Sequence, residues 1–134
     1  MKFLYPTSIS STALPLFLWM IVIFTFSSLP GSGIPYEPPV WYIIERKGAH
    51  VVEYVVLMFL AFRFWSKIFI RDSVERLLLL SGVFSLAYAM TDELHQYFVP
   101  FRGANFSDTL IDGAGILFMS AVLFFLNKRK QRNR

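Results

Sequence analysis

No cysteine occurs among the 134 residues. Its absence excludes disulfides, thiolate nucleophiles and cysteine-ligated metals, and leaves the redox compartment undetermined. Charge is scarce too, at 16% of the chain, and there are only two histidines. No HExxH or similarly spaced zinc motif occurs. A metal therefore has only scattered carboxylates and imidazole to argue for it, and whether one binds is undetermined. There is no internal repeat and no sign of a second domain, so residues 1–134 read as one unit.

What is present is apolar. Hydrophobic residues make up 55% of the chain, and mean hydropathy is +0.51. A soluble domain of this size lacks the polar residues to cover such a surface. The 15 phenylalanines, six tyrosines and three tryptophans gather near the ends of apolar runs, as at a bilayer interface. A sequence pI near 9.6 suggests nucleic acid at first sight. The basic residues sit at the edges of apolar runs, however, where membrane topology accounts for them, so no nucleic-acid partner is expected.

Four apolar stretches predict an all-α, integral membrane four-helix bundle, with helices near residues 13–29, 40–66, 73–98 and 108–126 and a basic tail over 127–134. Pro15 fits a first helical turn. The first run is long for a signal peptide and reads as a span. The segment LPGSGIPYEPP (Leu29–Pro39) reads as a loop. Asp72 and Glu75 read as a capping box for the third helix, and Ser107 as the N-cap of the fourth. Ten of the 13 Lys and Arg residues, from Lys2 through Arg63–Arg76 to the tail, fall on one side. Arg46, Lys47 and Arg102 fall on the other. The positive-inside rule then puts both termini in the cytoplasm and the first and third loops outside.

Three polar segments thereby reach one outer level. Lys47, His50 and Tyr54 share a face of the second helix, with Glu53 beside it. Ser85, Tyr88, Asp92, His95 and Gln96 share a face of the third, with Glu93 at its margin. Asp108, Asp112, Gly115 and Met119 form a stripe on the fourth. An acid at the centre of a membrane helix costs about 2.5–3.5 kcal/mol, so these faces are expected to meet in an outward polar pocket. The acids Glu53, Asp92, Glu93, Asp108 and Asp112 outnumber Lys47, Arg102 and Arg46, which calls for held protons, a charged histidine or a bound cation.

His50 is a candidate general base held by Glu53 or Asp92, or else an interhelical hydrogen-bond partner. Glu53, Asp92 and Glu93 are candidate catalytic acids, and Asp92 with Gln96 forms an i,i+4 pair. His95 reads as a solvated or headgroup contact. Asp108 suits a first helical turn through the dipole alone, and Asp112 lies deeper. Arg102 and Lys47 either clamp a phosphate or neutralise neighbouring acids.

The segments KGAHVVEY (Lys47–Tyr54), TDELHQYFVPFR (Thr91–Arg102) and SDTLIDGAG (Ser107–Gly115), taken in that order, resemble the VanZ-like family of small bacterial membrane proteins over roughly Glu45–Leu126. The shared elements fall on Lys47, His50, Glu53 and Tyr54; on Asp92, Glu93 and Gln96; on Pro100 and Arg102; and on Ser107, Asp108, Gly113 and Gly115. Arg46 stands where members often carry an acid, and Asp112 where many carry asparagine. The resemblance implies a bacterial cytoplasmic membrane protein of the cell envelope, associated with sensitivity to the glycopeptide teicoplanin. Partners expected on this basis are membrane lipids and a lipid-linked cell-wall precursor, with Lys47, Tyr54, Gln96, Arg102, Asp108 and Asp112 binding it. A small ion-coupled transporter, which would need to oligomerise, and a noncatalytic shielding factor with a purely structural network are the alternatives.

Overall fold

A computed structural model of the chain describes residues 9–31, 39–102 and 106–133. They form four helices: α1 (Ser10–Ser27), α2 (Val40–Ile68), α3 (Val74–Tyr97) and α4 (Phe106–Arg132). The protein is an all-α bundle. Helices α1, α3 and α4 are each long and apolar enough to cross a membrane. At 29 residues α2 is also long enough, but its first turns carry Glu45, Arg46, Lys47 and His50. Lys2, most of the Leu29–Pro39 segment and Arg134 lie outside the described residues.

The polarity of the bundle is turned outward. Large apolar side chains such as Phe17, Val52, Leu79 and Phe118 stand exposed on its surface, while Ser85, Asp92, Gln96 and Asp112 lie buried. In water such a surface would associate or aggregate; in lipid it is already solvated. Helix α2 packs against all three others, and α4 also packs along α3. The main core joins Leu16 and Ile23 of α1, Tyr54, Leu57, Met58 and Ala61 of α2, Ala89 of α3 and Ile116 of α4. A smaller cluster of Phe62, Leu77 and Leu123 closes the opposite end. Gly115 sets the α2–α4 spacing, since a Cβ there would sit 2.7 Å from the Val51 carbonyl oxygen.

The helix ends depart from the sequence expectations in four places. Helix α1 starts at Ser10, so Pro15 lies past the first turn, inside the helix. The cap of α3 is Ser73, whose hydroxyl accepts from Arg76 N at 3.3 Å. Asp72 is displaced from that role and pairs with the Arg76 side chain at 3.2 Å. Ser107 is the second residue of α4 rather than its cap, and its hydroxyl bonds Asp108. The tail expected over 127–134 is helical through Arg132, because Asn127 to Arg132 contains no breaker and the cations suit a helix C-terminus.

Candidate functional site

The expected polar faces do meet, at the end of the bundle where α2 and α4 begin and α3 ends. Parallel packing of α2 and α4 would otherwise require side chains between them, but Gly115 removes that spacer and brings the two backbones together. One turn toward the loop, His50 Nδ1 lies 3.1 Å from Asp112 Oδ1, with the two side chains 4% and 1% exposed. The carboxylate thereby fixes the imidazole's orientation and favours the Nδ1–H tautomer. His50 is thus held by Asp112 of the facing helix, not by Glu53 or Asp92 as the spacing suggested. Helical periodicity defines a face but not the rotation at which two faces dock.

One further turn outward, Asp108 is held by Lys47 Nζ at 3.2 Å and Arg46 at 3.5 Å. Arg102 was a candidate for that role and is placed elsewhere. Its Nε donates to Gln96 Oε1 at 3.0 Å, and its Nη1 donates to the carbonyls of Phe26 and Leu29 at 2.7 and 3.1 Å. Gln96 in turn donates to Asp92 Oδ2 at 2.8 Å, as the i,i+4 spacing predicted. A relay therefore runs from the last carbonyls of α1 through Arg102 and Gln96 to Asp92. Phe101, in the turn before Arg102, adopts a positive φ of 59°. The turn is pinned by Gly31 N donating to the Pro100 carbonyl at 3.1 Å.

Tyr54, one turn below His50, is fully buried beneath these groups. Glu53 is partly buried within electrostatic reach of His50, Asp92, Asp112 and Arg102. Glu93, at the margin of the α3 face, is 8% exposed. His95 differs from expectation: its Nε2 lies 3.0 Å from the Ser28 hydroxyl, and its ring packs 4.5 Å from that of Phe24. It is therefore seated on α1 rather than solvated.

Four polar atoms at this centre are buried without a hydrogen-bond partner: Tyr54 Oη, Ser85 Oγ, Asp92 Oδ1 and Asp112 Oδ2. Leaving such an atom unpaired costs about 1–3 kcal/mol, and folded proteins seldom leave several together. Among the described residues, no group of three or more histidine, aspartate or glutamate side chains is arranged to hold a metal ion.

The part played by α1 was not foreseen. Trp19 Nε1 donates to the Glu53 carbonyl at 2.9 Å, and Tyr88 Oη donates to the Met20 carbonyl at 2.7 Å. The available signal was Trp19 itself, in the middle of an apolar run. An indole N–H held inside a membrane bundle is costly to leave without an acceptor.

A family model described as VanZ/LLP1 matches residues 12–127. No curated protein and no solved structure matches the chain.

Proposed function

Since the chain belongs to the VanZ/LLP1 family of membrane proteins, we propose that its buried polar centre is an extracytoplasmic site that binds or modifies an envelope lipid or peptidoglycan precursor. Through that chemistry it would alter sensitivity to glycopeptides. The observation that carries this reading is the group of unpartnered atoms on Tyr54, Ser85, Asp92 and Asp112. They come from three different helices and line the interior over about two turns of α3, and a bundle needing only cohesion would bury apolar side chains there instead.

The roles follow from the contacts. His50 engages Asp112 through Nδ1 and leaves Nε2 as the nitrogen that takes or gives a proton. Asp92, fixed by Gln96, and Glu93 are the further acids. Arg46 and Lys47, whose side chains stay 30% and 39% exposed while holding Asp108, offer donors to a phosphate at the rim. Both termini lie in the cytoplasm in this reading, because the cations of the 63–76 region and of the end of α4 share the end of the bundle opposite the site.

The test compares cells carrying the wild-type chain, His50→Gln or Glu93→Gln at equal membrane levels, measuring envelope lipid species, lipid-linked precursors and teicoplanin sensitivity. A changed lipid or precursor profile that reverts in both variants is the expected result. Lost sensitivity effects with an unaltered profile would turn the reading toward a noncatalytic binder. The ties from α1 to Glu53 and Arg102 favour a second, structural reading, which predicts that every charge variant loses folded protein.

A further inference from the structure

Away from the polar centre, a groove of about 410 Å³ runs along the seam of α3 and α4, walled by Leu78, Gly82 and Leu86 on one side and Gly113, Ile116 and Ser120 on the other. The Ser120 hydroxyl is turned back onto the Ile116 carbonyl at 2.8 Å, so the lining is effectively apolar. Glycines open the groove. A Cβ on Gly113 would meet nothing within 4 Å, and one on Gly82 only Ile116 Cγ2 at 3.9 Å. Leu79 and Leu117 stand along the rim, 66% and 71% exposed. A second helix would need small residues there for close approach, and these rims keep it away. The apolar hollow between them is open to a hydrocarbon chain.

The groove is continued toward the basic end. A hollow of about 230 Å³ lies between Val74 and Glu75 of α3 and Phe124, Asn127, Lys128 and Gln131 of α4. At about 100° per residue, Glu75 falls within roughly 20° of Gly82, and Gln131 falls in line with Gly113. The two hollows therefore follow one another along the same seam, the first apolar and the second polar. From Glu75 to Leu86 the rise is about 16 Å, close to one leaflet of a hydrocarbon core about 30 Å thick.

The polar hollow is lined by charges of both signs. Lys128 lies with Nζ 5.9 Å from the Phe124 ring centroid. Glu75 lines the same space, and the ion pairs among the described residues do not join the two. Phosphate complements the lysine, and an ammonium with N–H donors complements the glutamate. A purely anionic headgroup would set its phosphate beside Glu75 with no cation to offset that carboxylate.

We propose that the α3–α4 seam is a phospholipid-binding site for a phosphoethanolamine lipid of the leaflet at the basic end. One acyl chain lies along Leu78, Gly82, Gly113 and Ile116, the phosphate meets Lys128, and the ammonium meets Glu75. The site is separate from the polar centre and does not depend on what that centre does.

The test uses the full chain in nanodiscs of equal phosphatidylethanolamine, phosphatidylcholine and phosphatidylglycerol, extracted and read by native mass spectrometry. Phosphatidylethanolamine is expected to be retained at one per chain, and the other two about fivefold less, the order of one charge contact at a membrane surface. Glu75→Ala should erase the preference over phosphatidylcholine, whose headgroup has the charge but no N–H, because it removes the acceptor. Gly113→Leu should expel the lipid while helicity stays unchanged, because the added side chain enters open space. Phosphatidylglycerol retained equally or better would overturn the proposal. So would retention indifferent to Gly113→Leu, or a dimer that Gly113→Leu dissolves, since that would make the groove an interface between copies.

Discussion

At the scale of single residues, two glycines two positions apart behave oppositely. A Cβ on Gly115 would lie 2.7 Å from the Val51 carbonyl oxygen, whereas one on Gly113 would meet open space. Gly115→Ala is expected to destabilise the bundle by about 1–3 kcal/mol through overpacking against backbone that cannot yield. Gly113→Ala should be close to neutral. Reversible unfolding in mixed micelles checks both. Asp112 poses a different question. Asp112→Ala strands the buried His50 and should cost about 1–3 kcal/mol. Asp112→Asn keeps a hydrogen-bond partner for the ring and should retain stability. If His50 works as an acid–base group, the asparagine variant should nevertheless lose the envelope phenotype, and phenotype retained at full strength would count against proton transfer by this pair. The pairing itself was only half legible in the sequence. Spacing put His50, Asp112 and Gly115 on inward faces, but nothing in either segment fixed the rotation at which α2 and α4 dock, which brings Asp112, rather than Glu53, to the imidazole.

At the scale of elements, α1 is tied to the site by donors that reach its carbonyls and by its own indole. Trp19→Phe removes the bond to the Glu53 carbonyl and should cost about 0.6 kcal/mol and at most about 1.7 kcal/mol, the range found for hydrogen bonds between membrane helices. Arg102→Leu removes donors to Phe26, Leu29 and Gln96 together. It should loosen the end of α1 more than Trp19→Phe does, seen as faster hydrogen exchange over Phe24–Leu29. The number and order of helices were readable because each apolar run is long and bounded by turn chemistry. The ends were less so. Ser73 captures the cap from Asp72 because Asp72 finds Arg76 one turn away, a local competition that the pattern of either residue leaves undecided. The role of Arg102 was out of reach for a related reason: a guanidinium beside acids is read as their partner, yet backbone carbonyls at the end of α1 compete for the same donors.

At the scale of the whole molecule, the lack of cysteine becomes a practical advantage, because single-cysteine variants need no background substitution. Cysteines placed at Arg129 and at Asp72 are expected to resist a membrane-impermeant maleimide in intact cells, and one at Trp41 to react. Labelling in the reverse pattern would invert the topology and move the polar centre to the cytoplasmic face. That the chain spans a membrane was legible from hydropathy alone, and the burial of its polar residues agrees: Ser85, Asp92, Gln96 and Asp112 are inside while Leu79 and Phe118 are outside. What composition could not convey is how unevenly the helices share that polarity. Helix α2 carries Glu45, Arg46, Lys47 and His50 in its first turns, and His50 is covered only once Asp112 has arrived 62 residues later. A nascent chain therefore leaves His50 of α2 without its carboxylate until α4 is made; synthesis halted before Phe106 is expected to leave α2 less firmly held in the bilayer than in the finished bundle.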